Sequence, residues 1–149
     1  MTRVDFYVLP VAEPHARLSF ACRLVEKAWF AGHRVYLHSA QAQTADAIDG
    51  MLWSFRDSAF VPHEAAPANP ACPVVIGQAQ DPGTFADVLI NLADEVPAFF
   101  ERFARVAEIV LDEPAARSAG RARWAIYREH GCQPDHHDMQ SLRSAGERG

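Results

Sequence analysis

The sequence lacks the long apolar runs and the cysteine framework that mark several common protein classes. No apolar stretch approaches the roughly 20 residues that a membrane-spanning helix needs, so we expect no membrane partner. The opening MTRVDFYVLP does not resemble a secretory leader, in which charged residues precede an apolar run. The three cysteines, Cys22, Cys72 and Cys132, are odd in number and widely spaced. This pattern favours a reducing cytoplasm over a disulfide-linked secreted fold.

Glycine-rich phosphate loops and common catalytic motifs are also missing. The first strand-to-helix turn, VLPVAEPHA, contains no glycine, whereas a phosphate loop needs glycine so that backbone N–H groups can approach the anion. Neither GxGxxG nor GxxxxGK[ST] occurs, and there is no GxSxG nucleophile turn. We therefore predict no cofactor and no catalytic residue. A small α/β enzyme or nucleotide-binding protein of unknown substrate remains the alternative.

The overall charge limits which partners the chain can attract. The 149 residues include 14 basic and 19 acidic side chains, which gives a formal net charge of −5 with the 7 histidines neutral. A globally acidic protein is not drawn to nucleic acid by its overall field, so direct DNA contact would need a local basic patch. The hydrophobic fraction of 49% is enough for the core of one domain and excludes a wholly disordered chain.

Strand-like and helix-like segments alternate along the chain, a pattern typical of βαβ units and a largely parallel sheet. The proline-rich segment 55–72 is predicted to be an irregular loop, and the polar segment 132–149 a flexible tail after an α/β domain over 1–131. The predicted strands are 4–9, 34–38, 73–77, 87–92 and 106–111, and the predicted helices are 14–31, 41–54, 97–102 and 114–130.

The best metal-like cluster lies in the predicted tail. It consists of Cys132, His136, His137 and Asp138. Two adjacent histidines would need an irregular backbone to share one ion, and no second Cys or His pair at finger-like spacing completes four ligands. We interpret the cluster as part of a polar tail and predict no metal site.

The last predicted helix carries a stripe of basic and aromatic residues. Arg117, Arg121, Trp124 and Arg128 follow each other at i, i+4, i+7 and i+11, which places them on one side of the helix. Arg123 lies off this stripe. Ala122, Ala125 and Ile126 are predicted to supply an apolar side of the helix, and Tyr127 could fill a gap beside either face.

Several partners could neutralise this stripe, because like charges at i and i+4 repel each other. Glu108, Asp112, Glu113 or water could do so within the chain. Alternatively, the stripe forms a basic groove with an aromatic wall, suited to an acidic peptide that ends in an apolar residue and a free carboxylate. Single-stranded nucleic acid could also stack there. The net charge of −5 favours the peptide.

A second candidate surface surrounds the proline-rich loop. Its bulky residues either cap the core or form an exposed apolar patch for a permanent partner. They are Leu52, Trp53, Phe55, Phe60, Val61, Pro62 and His63.

Five segments, in order, resemble one protein family. They read DFYVL, AGHRVYLH, LWSFRDSAFVPH, DVLINL and RARWAIYREHG. Together they are similar to the chi subunits of the bacterial DNA polymerase III holoenzyme, and the resemblance covers about residues 1–132. LW followed by FVPH, and the Y-R-x-x-G ending, are its most specific parts.

The resemblance implies a fold and a function. The fold would be a single-domain, Rossmann-like three-layer α/β sandwich without a nucleotide-binding loop. The function would be that of a non-catalytic adaptor in DNA replication. Such an adaptor binds the acidic C-terminal tail of single-stranded DNA-binding protein, and pairs with the small psi subunit, which links it to the clamp loader. Its contact with DNA would be mainly indirect.

The resemblance also assigns residues to these partners. It implies that Arg117, Arg121, Trp124 and Arg128 receive the tail, with Val110 beside the same pocket. Trp53 and Phe60, with the adjoining Val61, Pro62 and His63, match a surface given to psi or to a helicase. Position 124 is Trp where the family has Tyr, and position 117 is Arg rather than Lys. The resemblance does not extend to the segment from Gln133 to Gly149.

Overall fold

The computed structural model describes residues 2–54, 62–65, 72–78 and 87–139, which build one sheet with helices on both faces. The strands are β1 (Arg3–Val8), β2 (Val35–Ser39), β3 (His63–Ala65), β4 (Val74–Gln78), β5 (Val88–Asn91), β6 (Arg105–Val110) and β7 (Asp135–Asp138). The helices are α1 (Pro14–Phe30), α2 (Ala42–Ser54) and α3 (Pro114–Glu129), with a short 3₁₀ helix over Phe100–Arg102.

All neighbouring strands are parallel, in the order β3-β4-β2-β5-β6-β1-β7. The connection from β1 through α1 to β2 runs toward one edge of the sheet, and the connection from β6 through α3 to β7 runs toward the other. Because such crossovers are right-handed, opposite directions put α1 and α3 on opposite faces. The expectation of a Rossmann-like α/β sandwich is confirmed.

Each face of the sheet has its own apolar core. On one face, strand residues such as Leu37 and Ile90 pack with Phe20 and Val25 of α1 and Ile48 of α2. On the other face, Phe6, Tyr36 and Val106 pack with Phe100 and with Tyr127 of α3. Alternate residues of a strand point to opposite faces of the sheet. Nearly continuous apolar strands, such as β4 with VVI and β5 with VLI, therefore contribute side chains to both cores. No helix in the part of the chain that the structure describes has the length and apolar character needed to span a bilayer.

The structure differs from the predicted elements at three short segments. The predicted loop 55–72 contains β3, which is only three residues long. The predicted helix 97–102 is reduced to the 3₁₀ helix. The sheet also extends beyond Gly131 into the predicted tail, where β7 pairs with β1. The polar sequence DHHD shows no apolar alternation, so its backbone pairing with β1, rather than burial of side chains, accounts for this edge strand.

Candidate functional site

A groove lies beside α3 at the carboxyl ends of β1 and β6. These strands are neighbours, but the chain leaves them toward helices on opposite faces of the sheet. Crevices at such divergence points are the usual ligand sites of open parallel sheets. The groove has a volume of about 320 Å³ and is formed by residues of β1, β6, α3 and β7. We call it the α3 groove.

The floor of the α3 groove is apolar. Phe6 and Val8 of β1 and Val110 of β6 supply it, and Trp124 of α3 flanks it. The Trp124 and Phe6 ring centroids are 5.1 Å apart, so the indole is held against the sheet. Trp124 is half-buried and keeps part of its ring exposed to the groove. The groove can therefore receive an apolar side chain against an aromatic wall.

Gly120 sets the distance between α3 and the sheet. A Cβ atom at this position would lie 3.1 Å from Cγ2 of Val110, closer than ordinary van der Waals contact. The absence of a side chain therefore lets the helix approach β6 and brings its neighbour Arg121 to the edge of the floor. This role of Gly120 was not predicted from the sequence.

The basic residues of the stripe differ in their surroundings. Arg117 forms an ion pair with Asp112, one of the neutralising partners considered from the sequence. Arg121 is exposed and makes no ion pair or side-chain hydrogen bond with any residue that the structure describes. Arg128 is also exposed, but it is not part of the groove lining. Arg121 is therefore the groove cation that is open to an external anion.

Glu113 and Glu108, the other neutralising candidates, have different partners. The Glu113 carboxylate accepts hydrogen bonds from the backbone N–H groups of Ala115 and Ala116, both at 3.0 Å, and so caps the amino end of α3. Glu108 is fully buried in β6 and accepts a hydrogen bond from Nε of Arg123 at 2.9 Å. Neither carboxylate forms an ion pair or a hydrogen bond with Arg121.

The inner face of α3 corrects one prediction. The expected apolar residues Ala122, Ala125 and Ile126 are exposed. The buried residues are instead Gly120, Arg123 and Tyr127. The reason is Glu108, which needs donors because it is buried in the sheet beneath the helix. An acidic residue within the apolar strand sequence VAEIV was the available signal that a basic residue would be buried nearby.

Hydrogen bonds satisfy the buried carboxylate from three sides. Besides Arg123, the Tyr127 hydroxyl donates to Oε2 of Glu108 at 2.6 Å, and Asn91 Nδ2 donates to the same oxygen at 2.9 Å. Burial raises the pKa of Glu108, while the charge of Arg123 and these hydrogen bonds oppose that change. Burial and the neighbouring Glu108 carboxylate raise the pKa of Tyr127, which keeps its hydroxyl proton. The network fixes α3 on the sheet and so orients the residues of the groove.

β7 supplies the groove residues that sequence reasoning missed. Its parallel register aligns His136 with Phe6 and Asp138 with Val8, and both β7 residues line the α3 groove. His137 points to the opposite face, where its ring stacks on Tyr7 with centroids 5.0 Å apart and Nε2 lies 2.9 Å from Oδ1 of Asp5. Sequence gives little signal for this register, because β1 and β7 are more than 120 residues apart.

The metal-like cluster of the sequence is divided by the fold. Cys132 is buried in the core on the α3 face, whereas His136 and His137 point to opposite sides of β7. Over residues 2–54, 62–65, 72–78 and 87–139, the structure places no three His, Cys, Asp or Glu side chains together where they could hold a metal ion.

The second candidate surface is only partly described. Phe55, Phe60, Val61 and the Trp53 side chain lie outside the described residues. Leu52 is buried in the core, and Pro62 is half-buried. His63 is buried at the start of β3, with Nε2 3.2 Å from Oδ1 of Asp49.

Fold and groove together define a class: a small parallel α/β protein without a glycine-rich phosphate loop, with an exposed arginine beside an apolar cleft. Comparison with known proteins identifies the family within that class. The family model described as "DNA polymerase III chi subunit, HolC" matches residues 1–135, and the chain belongs to this family. The match confirms the resemblance found in the sequence and gives the chain an accessory role in DNA replication.

Three relatives are named as DNA polymerase III subunit chi. The Pseudomonas aeruginosa protein is 51% identical over 142 residues, which cover 95% of this chain and 100% of that protein. The Escherichia coli protein is 29% identical over 113 residues, covering 74% of this chain and 77% of the relative. The Haemophilus influenzae protein is 27% identical over 130 residues, covering 85% of this chain and 90% of the relative.

Proposed function

We propose that this chain is a non-catalytic adaptor of the DNA polymerase III holoenzyme. In this proposal it binds the acidic C-terminal tail of single-stranded DNA-binding protein in the α3 groove. Through a psi subunit it links that protein to the clamp loader. It acts in the cytoplasm, and its contact with DNA is mainly indirect, since its net charge is −5.

One observation carries the proposal: an exposed arginine stands at the edge of an apolar cleft. Arg121 has no partner among the described residues, and the Val110 and Trp124 side chains lie in the same groove. A free carboxylate next to an apolar side chain matches this pair of features, and the last residue of a peptide provides both. An internal acidic segment would offer carboxylates without the terminal one.

The roles of the groove residues follow from their positions. Arg121 receives the terminal carboxylate, and Trp124 and Val110 bury the last apolar side chain. Arg117 attracts preceding acidic residues more weakly, because Asp112 already shares its charge. Arg128, two turns beyond Arg121 on α3, attracts acidic residues farther along the tail.

The proposed contact is weak and reversible. A short peptide held by one main ion pair and one buried side chain should bind with a dissociation constant of about 1 µM, or roughly −8 kcal/mol. Added salt should weaken it. Several tails on one coated DNA strand would raise the apparent affinity by avidity. Such a contact can release and rebind while the holoenzyme moves.

A second part of the proposal concerns the surface around α2 and β3. We assign psi, or a helicase, to Trp53, Phe60, Val61 and Pro62, with His63 supporting them from within. The edge strand β3 and the end of α2 lie at the opposite edge of the sheet from β7. The two partners could therefore bind at the same time. Trp53→Ala should reduce psi binding and leave tail binding unchanged.

Fluorescence anisotropy tests the tail-binding proposal directly. The probe is a labelled peptide that copies the last ten or so residues of the host single-stranded DNA-binding protein, and the control peptide lacks the final residue. We expect salt-sensitive binding that the control peptide and the Arg121→Ala variant largely lose. Equal binding of both peptides, or full binding by Arg121→Ala, would contradict the assignment. Binding of an oligonucleotide without any peptide effect would favour a direct DNA binder instead.

A further inference from the structure

A second groove lies on the face of the sheet opposite α3. It runs between the carboxyl half of α1 and the amino-terminal parts of β1, β5 and β6, and its volume is about 420 Å³. The α3 groove lies at the carboxyl ends of the strands, and the two grooves share no lining residue. We call the second one the α1 groove.

The floor of the α1 groove is apolar because small side chains meet there. Leu24 and Ala28 line it from α1, and Val88 and Ala107 line it from β5 and β6. Ala28 and Ala107 are too short to close the space between helix and sheet. The helix is anchored elsewhere by larger buried residues, among them Phe20 and Val25. The groove can therefore accept an apolar side chain without rearrangement of α1.

The rim of the α1 groove is cationic in an otherwise acidic protein. Arg3, Lys27 and Arg105 line it. The Arg3 and Arg105 side chains are 58% and 47% exposed, although Nε of each lies close to the buried Asp5 carboxylate, at 3.5 and 3.0 Å, and Nε of Arg3 also lies 4.0 Å from Oδ2 of the exposed Asp135. Asp87 is the carboxylate within the lining, and it already accepts a hydrogen bond from the backbone N–H of Arg34.

These features favour a protein segment over other ligands. The rim favours carboxylates, and the floor favours an apolar side chain. Phe30 is 66% exposed and lies beside Lys27 on the surface of α1, so the apolar surface continues beyond the groove. A small anion would leave this ring uncovered. Nucleic acid would be opposed by the net charge of −5.

We propose that the α1 groove binds an acidic peptide segment of a partner protein, which places an apolar side chain between Ala28 and Ala107 and its carboxylates near Arg3, Lys27 and Arg105. This site does not depend on the tail-binding proposal. It lies on another face and uses other residues. It would give the adaptor a further docking point for an acidic segment.

NMR spectroscopy of the ¹⁵N-labelled full chain tests this site. The protein carries Arg121→Glu, so that an anionic peptide is repelled from the α3 groove. The probe is the peptide Asp-Asp-Leu-Phe-Asp-Asp, acetylated and amidated to remove its terminal charges, at about 1 mM. We expect saturable shifts of the Leu24, Ala28, Val88 and Ala107 amides. A peptide with Lys in place of Asp should not produce them.

Matched variants identify the groove as the cause. Ala28→Leu should fill the floor and weaken peptide binding about tenfold, because a buried apolar contact is lost. Ala47→Leu, an equivalent change on the exposed side of α2, should leave binding unchanged. Lys27→Gln should weaken binding about threefold, in line with one exposed ion pair.

Three results would overturn the inference. The first is the absence of shifts at the four amides. The second is peptide binding that Ala28→Leu leaves intact. The third is that ten-nucleotide oligothymidylate, rather than the peptide, shifts the four amides. A thermal melt of each variant verifies that it is folded, and Ala47→Leu provides the folded reference. Because every sample carries Arg121→Glu, none of these results bears on the tail-binding proposal.

Discussion

Two arginines on α3, only two residues apart, have opposite environments. Arg123 is 5% exposed and bound to Glu108, whereas Arg121 is exposed and has no partner among the described residues. Two residues correspond to about 200° around a helix, so one guanidinium points into the sheet and the other toward the groove. Residue type alone therefore does not assign a role to a basic residue. The role is decided by the side of the helix on which the residue lies and by whether a buried charge, here Glu108, lies beneath it.

The difference between the two positions predicts a large difference in stability. Arg123→Ala should lower the free energy of unfolding by about 3–5 kcal/mol, because it leaves the Glu108 carboxylate buried and without its cation. Arg121→Ala should change it by no more than about 0.5 kcal/mol. Urea denaturation of both variants measures this. Similar urea midpoints for Arg123→Ala and Arg121→Ala would mean that Arg123 does not stabilise the buried Glu108 carboxylate.

Substitutions on the buried and the exposed side of α3 should also differ in their effect on stability. Gly120→Val should lower the free energy of unfolding by about 2 kcal/mol, because its side chain would press on Val110. It should also weaken tail-peptide binding by filling the floor of the groove. Ala122→Val, on the exposed side, should cost about 0.5 kcal/mol through helix propensity alone. Thermal melts of the pair, with the peptide titration, check this. Equal losses of stability in Gly120→Val and Ala122→Val would argue against the close approach of α3 to β6.

Within the α3 groove, Arg121 and Arg117 should contribute unequally to tail-peptide binding. Arg121→Ala should weaken tail-peptide binding at least tenfold, about 1.4 kcal/mol, because its charge is not shared. Arg117→Ala should weaken it about threefold, because Asp112 already neutralises that guanidinium. Anisotropy titrations with the same peptide measure both. A larger loss for Arg117→Ala would reverse the assigned roles.

The smallest expected effect is the contribution of Asp5 to the pH dependence of stability. Burial alone would raise its pKa, but hydrogen bonds with His137 and Arg105 and the charges of Arg105 and Arg3 outweigh burial and lower the pKa below its ordinary value of 3.8. The unfolded chain then binds the proton more tightly. The resulting stability is present above pH 3.8 and is lost as pH falls through the lowered pKa.

Denaturation at several acidic pH values tests this prediction. Asp5→Asn should remove that part of the loss of stability in acid, with Asp46→Asn, an exposed change on α2, as the control. The change of stability with pH expected from Glu108 has the opposite sign, because burial raises the pKa of that carboxyl group. An unchanged acid dependence in Asp5→Asn would contradict the prediction.

The sequence predicts the main elements well, because burial imposes a clear period on them. Strands such as VYLHS and RVAEIV, and the helices between them, follow directly from apolar spacing. Of the predicted stripe, Arg117, Arg121 and Trp124 lie together as their helical phase predicts, whereas Arg128 does not line the groove. The three residues do line one groove.

What the sequence does not predict depends on pairing between distant segments. β7 is polar, and its place beside β1 comes from backbone hydrogen bonds that carry no side-chain pattern. His136 and Asp138 were therefore not assigned to the groove. Arg123 was also missed, because its burial is decided by Glu108 on another element. Such contacts become visible only once the register of the sheet is known.

The position of β1 in the sheet has a consequence for how this protein comes to fold. β1 is the first strand along the chain, yet its neighbours are β6 and β7, the last two. Val4 pairs with Val106, about 100 residues later. At a ribosomal rate of about 5–20 residues per second, β1 waits roughly 5–20 s before its first partner has been made. During that interval the edges of β1 have no native partner. Newly made chains should therefore be bound by chaperones most readily at this stage.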